Sequence, residues 1–304
     1  MGRDFSVSII IPNWNGRVLL EENLPLVLKA KNYKKNNIKE IIVVDDKSED
    51  ESLKFLQSNY KKKVKIICHR INRGFSAAVN TGVRMAKGKL VCLLNTDVKP
   101  SKNFLMVCLK HFKDPKVFAV SFHEKGYRAA VGKFEDGFIV HAPAAKAERA
   151  IPTFWANAGS AVFRRTTWLK LKGMDERLFS PFYWEDIDIS YRAMKRGYSI
   201  LWEPNAKVIH KHESVINPSN FNTRRLNLIK QRNQLLFIWK NLTSPILFKK
   251  HLRGLVKRLA RRPGYIFVFF AAFIKLRTVL KERSREKKES TISDEAIFAQ
   301  FKNI

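Results

Sequence analysis

Five short apolar runs, separated by stretches of helical character, constrain this fold more than any other feature. Val7–Ile11, Ile41–Val44, Val64–Cys68, Leu90–Leu94 and Val117–Phe122 are apolar almost throughout and rich in β-branched residues. Between the runs, Arg17–Lys31, a segment holding Leu53, Phe55 and Leu56, Ser76–Met85 and Phe104–Phe112 read as helices. Strands apolar on both faces that alternate with helices indicate a parallel sheet covered on both sides. Right-handed crossovers then bring the carboxyl ends of the strands to one edge, where such sheets bind ligands. That edge would carry Asn13-Trp14-Asn15, Asp45-Asp46, Asn72-Arg73-Gly74 and Asn95-Thr96-Asp97. Polar groups from four strands therefore converge on one crevice.

Beyond the fifth run the pattern loosens. Residues 123–153 have Gly, Pro and Ala clusters and a single strand-like run, Phe138–Val140, which suggests a mobile loop over the edge. Ser160–Phe163 reads as a strand, Thr166–Leu171 as a short helix, and Asp186–Arg196 as a helix closed by Gly197. After Glu213 the next acidic residue is Glu282, with fifteen Lys and Arg between them. We therefore expect a domain over 1–215 and a basic helical extension over 216–304. The extension holds 20 basic and 5 acidic side chains, about half the net charge of +31 in under a third of the chain. Such a charge calls for an anionic partner.

Phe248, Leu252, Leu255, Val256 and Leu259 form a stripe at helical spacing, with Lys249, Lys250, Arg253, Lys257 and Arg258 largely off it. Pro263-Gly264 interrupts, and Tyr265–Ile274 is then apolar for ten residues. A bilayer-spanning helix needs about 20, so these segments fit helices lying on an anionic membrane surface. The expected place is the cytoplasm, peripheral at the inner face of the cell membrane. Three cysteines in apolar strings, without zinc-site spacing, read as buried free thiols in a reducing compartment. With Val7–Ile11 already a strand, no signal peptide is expected. The sequence has no GxGxxG and no Walker A pattern, which argues against dinucleotide oxidoreductases and P-loop enzymes. Charge alone allows salt-sensitive nucleic-acid binding, but no nucleic-acid-binding module is recognisable.

The carboxylates carry the candidate chemistry. Asp97 directly follows a buried strand, where it could hold Mg2+ or Mn2+ against a diphosphate or cap the following helix. Asp45 and Asp46 suit the N–H and O–H donors of a nucleoside; Ser48 and Asp50 make a helix cap an equal use. We expect both uses, with Asp46 as the ligand contact. Asn72-Arg73-Gly74 offers close backbone approach and a phosphate partner ahead of a helix with Asn80 and Gly82. Trp184-Glu185-Asp186 opens a helix, where carboxylates are favoured as anions and a general base could meet an incoming hydroxyl. His210 and His212 follow a strand-like run and could add a metal ligand.

In this order and spacing the chain resembles the family-2 inverting glycosyltransferases with a GT-A fold. The matching segments are Val7-Ser8-Ile9-Ile10-Ile11-Pro12-Asn13-Trp14-Asn15, Val43-Val44-Asp45-Asp46-Lys47-Ser48 and Asn72 to Gly82. Asn95-Thr96-Asp97, Ala158-Gly159-Ser160, Trp184-Glu185-Asp186-Ile187-Asp188 with Tyr191-Arg192, and the run from Val208 to Ser214 complete the likeness, which spans roughly residues 5 to 240. The resemblance implies an α/β fold, a GT-A nucleotide-binding, mostly parallel sheet flanked by helices. It implies a base pocket of Pro12, Trp14 and Asp46. Further donor contacts would come from Asn72, Arg73, Gly74, Asn80, Asn95, Thr96 and Gly159.

Asp97 would be the metal-binding end of the family's Asp-x-Asp motif, whose first member here is the uncharged Asn95. Asp186 would be the catalytic base beside Glu185, with His210 near the metal or diphosphate. The implied reaction is transfer of one sugar, of rhamnosyltransferase type, from a nucleotide-diphosphate sugar to a lipid-linked or saccharide hydroxyl, inverting the anomeric carbon. The setting would be cell-surface polysaccharide or glycolipid synthesis. The Gln-x-x-Arg-Trp motif of the processive synthases is absent. Asn95 leaves an inactive scaffold as the alternative within the family.

Overall fold

A computed structural model describes residues 5–211, 222–302 and 304. The strands among them are β1 (Val7–Asn13), β2 (Ile38–Asp45), β3 (Lys65–Cys68), β4 (Leu90–Leu94), β5 (Val98–Pro100), β6 (Val117–Glu124), β7 (Ala130–Glu135), β8 (Phe138–Pro143), β9 (Ile151–Pro152), β10 (Ser160–Arg164) and β11 (Ser199–His210). The α-helices are α1 (Arg17–Asn32), α2 (Ser52–Tyr60), α3 (Phe75–Met85), α4 (Met106–Leu109), α5 (Arg165–Lys170), α6 (Glu185–Lys195), α7 (Thr223–Asn241), α8 (Pro245–Arg261), α9 (Tyr265–Phe273), α10 (Leu276–Glu289) and α11 (Asp294–Ala299).

One sheet runs in the order β3-β2-β1-β4-β10-β6-β11-β5, with β9 also paired to β11. β3, β2, β1 and β4 are mutually parallel, as the apolar runs predict. β10 enters antiparallel between β4 and β6, and β5 is antiparallel to β11. The sheet is therefore mixed, mostly parallel. Period-2 alternation explains why its strands are apolar throughout. Ile9, Ile11, Val43 and Cys92 face one core, while Ile10, Ile42, Val44 and Val91 face the other.

Residues 123–153 are not a loose lid. They contain the β7–β8 hairpin, with Val131, Phe138 and Ile139 buried. Gly137 at its turn has φ +85°, and a Cβ there would sit 2.9 Å from the Gly254 Cα of α8. The glycine pair is what lets hairpin and helix meet, and the buried His251 ring nitrogen Nδ1 contacts the Gly137 carbonyl at 2.7 Å. The expected long fourth helix is only α4 followed by a 3-10 turn. Of the three thiols Cys92 and Cys108 are buried, but Cys68, at the outer end of edge strand β3, is exposed.

The C-terminal helices share a core with the sheet. Leu235 to Trp239, Leu255, Val268, Val279, Ile297 and Phe301 belong to the same apolar cluster as Ile10, Val44 and Val91. Of the expected stripe on α8, Leu255 is buried, Phe248 and Leu259 are partly buried, and Leu252 and Val256 face outward. Buried ion pairs join α6 to the extension. Asp188 receives Arg192 Nε at 2.8 Å, Lys240 Nζ at 2.9 Å and Asn241 Nδ2 at 2.8 Å. Lys240 also donates to Asp175 at 3.0 Å, and Lys195 pairs with Asp294 at 2.8 Å. Burial pushes the Asp188 carboxyl up, but Arg192 and Lys240 outweigh it and hold it below its ordinary value.

Candidate active site

The crevice lies at the carboxyl edge of β1, β2, β4 and β6. On its β1–β2 side, Asp45 and Asp46 each order a loop. Asp45 accepts from Asn13 Nδ2 at 2.8 Å and from the Ser48 hydroxyl at 2.6 Å, tying the β1 and β2 ends together. Asp46 accepts the Arg73 and Gly74 backbone N–H groups at 2.9 and 2.6 Å, and its Oδ1 lies 2.6 Å from His69 Nδ1. Gly74 has φ +86°, a conformation that favours glycine. Asp46 thus shapes the loop holding Asn72, Arg73 and Gly74. His69, which sequence reasoning did not single out, completes the arrangement through Thr81 at 3.0 Å. Asn72 is exposed on the loop, and Arg73 is turned toward Glu176 at 2.9 Å.

Pro12 lies near the end of β1, and Trp14, 39% exposed, follows it. The cap expectation for Ser48 and Asp50 is redirected: Ser48 binds Asp45, and Asp50 accepts from Arg17 and Ser52 backbone N–H groups.

Asn80 needs correction. It is buried, donates to the Met174 carbonyl and Glu176, and accepts from Trp168 Nε1 and the Met174 N–H. With its amide filled by protein partners, it pins α3 to the 168–176 segment rather than facing a donor.

At the centre, β4 runs into Asn95-Thr96-Asp97. The Thr96 carbonyl accepts from Asn23 of α1 at 2.7 Å. A Cβ on Gly159 would lie 2.6 Å from Asn95 Nδ2 and 3.2 Å from His210 Cε1, so only glycine allows these chains to close up. The His210 ring bridges two carboxylates, with Nε2 3.1 Å from Asp97 and Nδ1 3.1 Å from Glu124. Burial opposes its protonation, but Asp97 and Glu124 prevail and raise its pKa to about 9. Glu124 is also held by Ser160 and by Asn157 Nδ2. Sequence reasoning missed Glu124 because it ended β6 two residues early, at Phe122. His212 lies outside the described residues.

The second carboxylate pair stands at the start of α6. Tyr183 and Trp184 both take left-handed φ, 74° and 77°, immediately before Glu185. Two such residues in a row store roughly 1–3 kcal/mol each, held only where the surroundings enforce them. Here the enforcement comes from the extension. Fully buried Asn233 donates to the carbonyls of Phe179, Phe182 and Tyr183, and Arg232 to that of Ser180.

Asp186 accepts from the Ile187 N–H at 2.8 Å. Burial raises its carboxyl to about 6, partly offset by the backbone N–H groups of Ile187, Asp186 and Ala158. Glu185 is pushed well above the ordinary range, first by burial and then by Asp186, and its buried Oε2 has no hydrogen-bond partner. Burial thus holds both neighbouring carboxyls above their ordinary values.

The two carboxylate sites meet through one short segment. The Ala156 N–H donates to Ser190 Oγ of α6 at 3.2 Å and Asn157 Nδ2 to Glu124 at 2.9 Å, while Gly159 lies against Asn95 and His210, and His210 contacts Asp97. Among the described residues no three His, Cys, Asp or Glu side chains form a ready metal cage. The set does fit a hard cation completed by substrate oxygens. Asp97 supplies a carboxylate, and Asn95 Oδ1 is buried without a hydrogen-bond partner.

A family model described as Glycosyl transferase family 2 matches residues 8–166. The chain belongs to glycosyl transferase family 2. Among curated proteins this family-2 chain is 28% identical over 185 residues to the pre-mycofactocin glycosyltransferase of Mycobacterium tuberculosis, the match covering 57% of this chain and 38% of that protein. It is 37% identical over 95 residues to the poly(ribitol-phosphate) beta-glucosyltransferase of Bacillus spizizenii, covering 30% of this chain and 14% of the other. The chain thus spans well under half the length of these relatives. Among solved structures, GalNAc-T7 with UDP, GalNAc and Mn2+ superposes with a TM-score of 0.63 at 17% identity, over 87% of this chain and 57% of that one. The Pyrobaculum calidifontis mannosyltransferase PcManGT with GDP-Man and Mn2+ gives 0.56 at 17% identity, over 93% and 85%. S. aureus TarS 1-349 gives 0.58 at 15% identity, over 93% and 90%. These likenesses establish the GT-A-like fold.

Proposed function

We propose that this family-2 glycosyltransferase moves one sugar from a nucleotide-diphosphate sugar to a hydroxyl, with inversion at the anomeric carbon. The observation that carries this reading is the segment 156–159, which bonds α6 through Ala156 and Ser190 and reaches the Asp97–His210 group through Asn157 and Gly159. Trp14 stacks on the nucleobase beside Pro12, and the loop shaped by Asp46 borders the nucleoside. Arg73 swings from Glu176 to a phosphate. Asp97 and the Asn95 side-chain Oδ1 would hold Mg2+ or Mn2+, which when bound neutralises the departing diphosphate. The Mn2+ complexes of GalNAc-T7 and PcManGT support that assignment.

Asp186 removes the proton of the acceptor hydroxyl as its oxygen attacks the anomeric carbon from the face opposite the leaving diphosphate. A base near pKa 6 is ionised at neutral pH yet basic enough to accept that proton. Glu185 stands beside it, its carboxyl pushed well above the ordinary range by burial. The donor is a UDP- or GDP-linked hexose or a deoxyhexose such as rhamnose. TarS with UDP-GlcNAc supports the UDP class. The acceptor is a lipid-linked or saccharide hydroxyl in cell-surface polysaccharide or glycolipid synthesis, met at the inner, anionic face of the membrane. No helix among the described residues is long and apolar enough to cross a membrane.

A thermal-shift panel of nucleotide-diphosphate sugars, with and without Mn2+, tests the donor assignment. A melting increase for one sugar class that needs Mn2+ is expected. No response to any of them would overturn it.

A further inference from the structure

We propose that the outward face of α9 is a membrane-insertion surface for bilayers rich in anionic lipid; this rests on the membrane reading above and names the element responsible. α9 and the residue after it, Tyr265 to Ile274, are apolar on every side. Tyr265, Val268 and Ala272 recur at i, i+3 and i+7 and are buried. Phe269, between them, packs its ring against Trp239 of α7 at 5.9 Å. The other side recurs with the same period, but it faces solvent: Phe267 is 72% exposed, Phe270 55% and Ile274 84%. At about 100° per residue these three fall within roughly 60° of one another, nearly opposite the buried set. Phe273, 49% exposed, widens the strip. Lone exposed apolar residues need no explanation, whereas a contiguous aromatic strip marks an interaction surface.

Charge selects the occupant. Arg261 and Arg262 precede the strip and Arg277 and Lys281 follow it, all exposed. On the neighbouring α8, exposed Lys249, Lys250, Arg253 and Lys257 accompany exposed Ile246, Leu252 and Val256. No carboxylate lies between Glu213 and Glu282 to oppose an anionic surface. A ten-residue apolar helix is about 15 Å long, half of a hydrocarbon core of about 30 Å, so it lies in the interface rather than crossing it. Basic groups at both ends then meet headgroups while the aromatic strip enters the acyl boundary. The location suits the chemistry. Lys275, just beyond α9, donates to the Arg177 and Leu178 carbonyls, and α7 contacts both α9 and the loop before Asp186. The surface therefore adjoins the elements that hold the base.

The test is co-sedimentation of the full chain with vesicles of mixed phosphatidylglycerol and phosphatidylcholine, and with phosphatidylcholine alone. We expect the parent to bind the anionic vesicles. Phe267→Ser/Phe270→Ser/Ile274→Ser should bind about tenfold more weakly or worse, because the buried apolar area is lost. Its transfer to a water-soluble acceptor should stay unchanged and its melting temperature should fall only slightly, since Phe267 and Ile274 are mostly in solvent and Phe270 gives up its ring contact with Phe269. If parent and variant bind alike, the α9 assignment fails while membrane association stands. If the parent ignores anionic vesicles, both fail, and the transferase reading is judged separately by its Asp186 variant. If the substitutions instead abolish a concentration-dependent dimer and leave vesicle binding intact, the face is a self-association surface and the proposal is wrong.

Discussion

Replacing Asp186 with Asn should remove transfer and at the same time stabilise the protein at neutral pH. The carboxyl is raised from 3.8 to about 6 in the folded state. A raised carboxyl means that the fold binds this proton more tightly than the unfolded chain does. Its contribution is fully present below about pH 4 and is lost as pH rises through 6. Two pKa units correspond to about 3 kcal/mol of opposition to folding at pH 8. Asn does not ionise and escapes that penalty. For 304 residues the entropy of unfolding is about 0.6 kcal/mol per degree, so the variant should melt about 4–5 °C higher at pH 8. The gain should shrink between pH 6 and 4 and vanish near pH 4. Differential scanning fluorimetry of both proteins across pH 4–8 measures it, alongside transfer at pH 7.5. An unchanged melting temperature at pH 8, or a gain that persists at pH 4, would refute the argument that burial holds Asp186 poised.

Other consequences follow from particular contacts. The pH–rate profile of the parent should lose activity below about pH 6, as the base takes up its proton; a profile flat to pH 5 would contradict this. Gly159→Ala drives a methyl to within 2.6 Å of the Asn95 amide and should weaken donor binding at least about tenfold by calorimetry, with the fold intact by circular dichroism. Lys240→Met takes one of two cations from buried Asp188 and should cost about 1.5–3 kcal/mol, a fall of roughly 2–5 °C in melting temperature; a fall under about 1 °C would show that Arg192 alone suffices. Asn233→Ala frees three loop carbonyls ahead of Asp186 and should lower kcat far more than it raises KM, whereas equal changes in the two would mark it as merely structural.

The parallel half of the sheet was legible because β1, β2 and β4 are buried on both faces and so carry unbroken apolar runs. The edge residues were legible for the same reason: where each run stops, a polar group begins. What could not be read were placements set by distant partners. β10 has the same apolar look as its neighbours, and its antiparallel entry beside β4 depends on connections rather than composition. The 123–153 segment carries weak strand signals because its hairpin is stabilised by α8 through Gly137 and Gly254, more than a hundred residues apart. Asn80 was expected as a donor contact from the family resemblance alone, since a mid-helix Asn gives no sign of its partners until Met174 and Trp168 fill its amide. Glu124 and Asn233 carry no local pattern at all. Their importance lies in the His210 ring and in the loop carbonyls they meet.

The central claim is that Asp97 and Asp186 serve one bound donor in different ways. Titration calorimetry of the responsive nucleotide-diphosphate sugar, with Mn2+, into the parent, Asp97→Asn and Asp186→Asn tests this most directly. The account predicts that Asp186→Asn binds the donor within about threefold of the parent, and that Asp97→Asn loses the part of the affinity that depends on Mn2+, more than about tenfold. Mn2+-dependent binding that survives loss of Asp97, or disappears with Asp186 alone, would contradict it.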